Sequence, residues 1–295
     1  MKKNTLYILM AGTLWGFMGV FVRSLANIGI SSTGAIIVRC GLAAVMLGLT
    51  ILIKDRRQFV VRLKDLWCFL GSGLCSMLFF SYCYFNSMKY LDLGTAAILL
   101  YTAPSIVIIL SRIIFREKLT VVKLLSLLLA FAGCCLVSGI GSGAVRTAQG
   151  ILLGLGAGLG YALYSIFARL AMNRGYSSLT ISFYTGLLAC IGAGVVWGTQ
   201  DMALMFAAPY NTILCLAAAA VTFYLPYLLY TSGLEGVETG RASIMASIEP
   251  VVATLCGIFV FRERLTAASG CGMLLVLGAI VMLNIKPPKR LHYRE

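Results

Sequence analysis

Charge, acid and histidine are all scarce in this chain. Only 12% of its 295 residues are charged, Asp and Glu together number 10, and His292 is the single histidine. Soluble domains are about a quarter charged, so a water-soluble globule is excluded. The 10 cysteines include no Cys-x-x-Cys pair and fall almost all within apolar runs. A zinc or iron–sulfur site therefore lacks its ligand spacing, and the cysteines are read as small buried apolar residues. No G-x-x-x-x-G-K-[ST] loop occurs, which excludes ATP-driven transport by this chain alone. A membrane-embedded enzyme needs a nucleophile–base pair or metal ligands. The apolar runs offer one deep acid, Glu249, one deep base, Arg39, and no histidine. A non-enzymatic protein without a cofactor is expected.

What the chain has is apolar length. It is 60% hydrophobic with a mean hydropathy of +0.94. A helix crosses the hydrocarbon core with about 20 apolar residues. Runs of that kind lie near 6–25, 33–53, 66–88, 95–114, 120–138, 150–171, 178–198, 212–233, 240–261 and 266–285. They are continuous and rich in Leu, Ala and Gly, without the alternation of a β-barrel. The first run is too long for a signal-peptide core and is read as a retained membrane helix. The expected fold is an all-α integral membrane protein of ten helices.

The formal charge of +14 sits in short loops and at the ends. That is the pattern of cytoplasmic loops. No Arg-rich stripe with interleaved aromatics suggests nucleic acid. Of 24 Lys and Arg, Arg23 and Arg39 fall inside spans; Lys89, Arg146, Arg262 and Arg264 make 4 on one side, leaving 18 on the other. The split points to both termini in the cytoplasm, and a plasma-membrane location is expected.

The chain also matches itself at an offset of 146 positions, from Pro104 to Pro250. Phe115-Arg116-Glu117-Lys118-Leu119-Thr120 returns as Phe261-Arg262-Glu263-Arg264-Leu265-Thr266. Phe21 and Arg23 return as Phe167 and Arg169, Trp15 meets Tyr161, and Tyr84 meets Tyr230. Two repeats follow, 1–146 and 147–295. Five spans in each is an odd number, so the second enters the membrane from the opposite side. Inverted repeats of this kind are typical of secondary transporters, whose site lies between the halves near the midplane.

These residues, with Leu14-Trp15-Gly16, Arg39, Gly41-Leu42-Ala43 and Glu249-Pro250, resemble the drug/metabolite transporter superfamily, in particular its EamA-type members. The resemblance covers the whole chain. It implies the ten-helix, two-repeat fold and transport of a small molecule across the bilayer, without naming the solute.

Candidate site residues follow from depth. Glu249 lies about 13 Å into the ninth helix at 1.5 Å per residue, where a bare charge costs several kcal/mol. Two readings stay open: a carboxylate that titrates or binds an amine, and a structural Glu that satisfies backbone loosened by Pro250. Pro104 and Pro250 cannot bond to the carbonyls of Leu100 and Ala246, which makes them candidate hinges. Arg39 is expected to pair or to snorkel outward. Arg116-Glu117 and Arg262-Glu263 are expected to form local ion pairs, beside helix caps at Thr120 and Thr266. Trp15, Tyr82, Asn86, Tyr101, Tyr161, Tyr164 and Tyr227 are expected to line a central aqueous cavity with Glu249. Together these suggest an exporter of a small metabolite such as an amino acid, working by alternating access. An exporter of drugs or organic cations is the alternative, and a non-transport membrane protein a third reading. Two driving modes, proton coupling and exchange, are left open, as is the oligomeric state.

Overall fold

The computed structural model describes residues 3–91, 93–138 and 147–285; His292 and the basic tail lie outside the described residues. Ten helices are long and apolar enough to cross a membrane. They are α1 (Lys3–Asn27), α2 (Ser32–Lys54), α3 (Leu63–Ser87), α4 (Gly94–Phe115), α5 (Val121–Ser138), α6 (Ala148–Met172), α7 (Ser178–Trp197), α8 (Pro209–Leu234), α9 (Thr239–Phe261) and α10 (Ala267–Asn284). An even number of crossings puts Lys3 and Asn284 on one face, called here the terminal face.

Local chemistry repeats at the 146-residue offset. Ser31 and Ser177 cap α2 and α7, accepting from the N–H groups of Gly34 at 3.0 Å and Thr180 at 3.2 Å. Thr120 and Thr266 cap α5 and α10 in the same way, from Lys123 at 3.2 Å and Ser269 at 3.1 Å, as expected from sequence. Arg116 and Arg262 end α4 and α9 in the left-handed region, with φ of 56° and 55°. A side chain with a Cβ pays for that conformation, yet it lets Glu117 and Glu263 donate back to the carbonyls of Ser111 and Gly257. The two FRE hairpins therefore turn identically on opposite faces.

The fourth and ninth helices depart from a simple proline kink. Each is broken in two: Leu93–Leu100 then Ala103–Phe115, and Thr239–Ala246 then Glu249–Phe261. Pro104 and Pro250 sit in the first turn of each second half, where a missing N–H costs nothing. A third break, at Phe17, divides α1 into Lys3–Gly16 and Met18–Asn27 and has no counterpart in α6. Wide π-type turns run through Gly71–Leu78 of α3 and Ala220–Tyr224 of α8, again at equivalent places.

Packing interleaves the repeats. α1 lies against α8 and α9, and α6 against α3 and α4, while α2 pairs with α7 and α5 with α10. Glycines permit the closest approaches. A Cβ on Gly12 would stand 3.0 Å from the Ala246 carbonyl, and one on Gly158 would stand 2.8 Å from that of Leu99. Each first helix thus rests on the break of the opposite repeat. Gly133 and Gly272 bring α5 and α10 together, each Cβ position 2.6 Å from the other's carbonyl oxygen.

Exposure decides where the topology can be read. Met205 is buried, whereas Phe206 is 72% and Val60 73% exposed. A Phe206→Cys variant is expected to react with an impermeant maleimide from outside intact cells, and Val60→Cys only after the membrane is opened. Labelling of Val60→Cys in intact cells would invert the assigned orientation.

Candidate functional site

Five helices from both repeats, α1, α3, α4, α6 and α8, with the first half of α9, line a cavity between the repeats. α1 contributes Trp15, α3 Ser76, Met77 and Phe80, and α4 Pro104 and Val107. The second repeat contributes Tyr161, Tyr164 and Ser165, then Tyr227 and Tyr230, then Ser243 and Ala246. Trp15 and Tyr161, equivalent by the repeat, face each other with ring centroids 6.2 Å apart. Trp15 also meets Tyr227 at 5.4 Å and Tyr230 at 5.3 Å, and Tyr164 meets Tyr227 edge to face at 4.7 Å.

The hydroxyls here find protein partners. Tyr164 pairs with Thr231 at 2.6 Å and Tyr230 with Ser165 at 2.7 Å. Tyr227 donates to the Met77 sulfur at 3.2 Å, and Ser76 to the Gly160 carbonyl at 2.7 Å. Tyr161 donates to Glu249 Oε2 at 2.9 Å. With polar tips tied down, the walls offer mainly ring faces and edges. Such surfaces suit flat, apolar or cationic groups.

Glu249 opens the second half of α9. Its carboxylate therefore sits at the positive end of a half-helix while it accepts the Tyr161 hydroxyl. Both features follow from Pro250, which starts a new helix at that point.

Several expected residues lie elsewhere. Tyr82 is 47% exposed, on the outer surface of α3. Asn86 donates to the Tyr82 carbonyl and accepts from Lys89 at 2.9 Å, near the end of α3. Tyr101 stands in the α4 break and packs with Cys134, Val251 and Ile248, outside the cavity lining. Arg39 does not snorkel: it is 6% exposed, and its Nε and Nη2 have no hydrogen-bond partner. It lies within electrostatic reach of Tyr227 and Glu249. Sequence reasoning missed Ser76, Met77, Phe80, Val107, Ser165, Tyr230, Ser243 and Ala246 as lining residues. Tyr230 was within reach of the offset, since it corresponds to Tyr84 in the first repeat; the small residues carry no such signal.

The FRE glutamates also differ from expectation, because each bonds to the other repeat. Glu117 accepts from the backbone N–H groups of Thr239 at 2.6 Å and Gly240 at 3.1 Å. Glu263 pairs with Arg23 at 3.1 Å.

Comparison with known proteins agrees with this architecture. A transporter of Archaeoglobus fulgidus, described as uncharacterized, is 30% identical over 68% of this chain and 70% of its own length. The Bacillus subtilis uncharacterized transporter YwfM is 24% identical over 98% of this chain and 97% of its own. One crystal structure shares the fold with a TM-score of 0.77 at 14% identity, over 95% of this chain and 96% of that one. Residues 2–139 and 148–285 each match the EamA-like transporter family, and the chain, a multi-pass membrane transporter, belongs to that family.

Proposed function

We propose that the protein is a secondary transporter that exports a small metabolite, such as an amino acid, across the plasma membrane by alternating access, with both termini cytoplasmic and no enzymatic activity. The observation that carries this reading is a cavity shared by two repeats, with the equivalent residues Trp15 and Tyr161 on facing walls. A site on the pseudo-symmetry axis can be reached from either face when the two halves exchange conformations.

Charge favours a solute that carries a carboxylate, as an amino acid does. The centre that asks for a solute group is Arg39, buried with its Nε and Nη2 unbonded, while Glu249 is occupied by the Tyr161 hydroxyl. An unpaired buried guanidinium stays charged and is strongly destabilising until an anion joins it. A single carboxylate on the solute would meet that need; a multivalent anion has no matching cluster. The ring faces around Trp15 keep a second reading in view, an organic cation held by cation–π contacts.

Purified protein in proteoliposomes separates the two. Leucine, phenylalanine and lysine, each radiolabelled, are expected to move faster than in protein-free vesicles, and tetraphenylphosphonium is not. The reverse pattern would establish the cation reading. Repeating the assay with a pH gradient, and with unlabelled solute on the far side, distinguishes proton coupling from exchange.

Glu249 is read as a residue that positions Tyr161 and starts the half-helix. Gln keeps an acceptor oxygen of the same reach, so Glu249→Gln is expected to retain transport and its response to pH. Glu249→Ala leaves the Tyr161 hydroxyl unmatched, a loss of about 1–3 kcal/mol, and is expected to lower membrane protein levels. Loss of the pH response in Glu249→Gln, at normal abundance, would instead assign the coupling proton to this carboxylate.

Pro104 and Pro250 are proposed as hinges. Ala at either position restores an N–H that can reach Leu100 or Ala246 and rejoin the two half-helices. Pro104→Ala and Pro250→Ala are each expected to reduce initial transport rates about tenfold or more, at unchanged abundance. Wild-type rates in both would make the prolines passive.

A further inference from the structure

The repeats are alike in sequence but unequal in conformation, and the difference is concentrated at the two FRE hairpins. On the terminal face, Glu117 is 10% exposed and caps the N-terminus of α9 through Thr239 and Gly240. Lys123, 3% exposed, braces it at 3.6 Å and also reaches Glu238 at 3.0 Å. Arg169 donates to the Thr239 hydroxyl and to the Val237 carbonyl, fixing the same corner. The first half of α9 packs against the second half of α4, with Gly240 against Ile108 and Ser111. This face is sealed between the repeats.

The opposite face has the same parts in another arrangement. Glu263, the counterpart of Glu117, is 53% exposed. Its Oε1 takes Arg23, the counterpart of Arg169, at 3.1 Å, and its Oε2 lies over Gly257 of its own hairpin. The capped pair Thr239 and Gly240 correspond to Leu93 and Gly94, the start of α4. Among the described residues, the first half of α4 and the second half of α9 share at most marginal contact. The seal present on the terminal face is open here.

We propose that Glu117 and Glu263 are reciprocal latches: the carboxylate that caps the opposing broken helix holds its face shut, and this conformation is latched by Glu117 on the terminal face. When the repeats exchange conformations, Glu263 leaves Arg23 and caps α4 at Leu93 and Gly94, while Glu117 releases α9 and is left to Arg169. The chemistry suits a latch. A charged acceptor on two helix N-terminal N–H groups is a strong contact that is lost by a rigid-body shift of a few ångströms. Burial pushes the Glu117 carboxyl up, but the Gly240 and Thr239 donors with Lys123 outweigh it and hold the group below the usual carboxylate range. The latch is thus charged at neutral pH.

This inference rests on the alternating-access reading, and one experiment separates the two. Ser243→Cys places a thiol in the cavity lining. Its reaction with an impermeant maleimide, above that of the parent chain, is followed in right-side-out and inside-out vesicles. With both glutamates intact, labelling is expected to be faster from the face opposite the termini. Glu117→Ala is expected to shift the ratio of rates about tenfold or more toward the terminal face. Glu263→Ala is expected to shift it the other way, Glu117→Gln to shift it less than Ala, and the double Ala variant to return it toward the starting value. General damage at residue 117 would not be compensated by a second substitution on the far face. A ratio unmoved by Glu117→Ala and Glu263→Ala, with labelling from both faces, overturns the latch and leaves alternating access standing. Labelling confined to one face in all of these proteins overturns both.

Discussion

Each repeat gives its first helix to the other. α1 rests on α8 and α9, and α6 on α3 and α4, so neither five-helix unit is closed without its partner. In lipid no hydrophobic force drives helices together, and association relies on close van der Waals fit. Gly12 and Gly158 supply that fit where it matters, at the breaks in α9 and α4. Broken backbone is tolerated at membrane depth only when protein or a water-filled cavity covers it. The exchanged helices are that cover. Interleaving, breaks and cavity are therefore one constraint: the cavity lies where α1 and α6 cross the interrupted helices.

The same constraint explains where regular helix is given up. The π turns of α3 and α8 place Ser76, Met77 and Phe223 along the interface that α1 and α6 enter. A π turn widens the helix and redirects the side chains after it. In α3 it precedes Phe80, which reaches the cavity. In α8 it precedes Tyr227, stacked on Phe223 at 4.1 Å. Irregular backbone, buried aromatic rings and paired hydroxyls thus concentrate around one small volume, while α5 and α10 remain regular and largely lipid-facing.

Much of the fold was legible because it is written twice. Ten apolar runs, prolines in register and two FRE hairpins define spans and repeats without any coordinates. Side-chain direction was not legible. Tyr82 and Tyr84 differ by two positions, about 200° around a helix, and depth alone cannot say which faces inward. The break at Phe17 has no proline to announce it, and the π turns have no composition of their own. Snorkelling of Arg39 was a reasonable expectation because an isolated buried charge is costly; instead the side chain is buried, with Nε and Nη2 unbonded to protein. The glutamates of the FRE motifs were read as local because their nearest basic residues are adjacent in sequence. Lys123 beside Glu117 is local, but the other partners, Arg23 and the start of α9, are more than 100 residues away and are brought in by the interleaved topology.

In the proposed alternating-access cycle, inverted symmetry by itself would make the two access states equal in energy. The sequence breaks that equality at the latches. Lys123 in the first repeat corresponds to Ser269 in the second, so only the terminal-face carboxylate has a buried ammonium beside it. Glu238 adds a further contact to that lysine. A difference of about 1.4 kcal/mol between the latches is enough for a tenfold bias, and contacts to buried charged groups reach that size. The bias favours the state sealed toward the termini. A solute with differential affinity for the two states then shifts the balance only by that differential. On the latch proposal, repeat divergence at positions 123 and 269, distant from the cavity, sets the resting state, while residues at the cavity set which solute can change it.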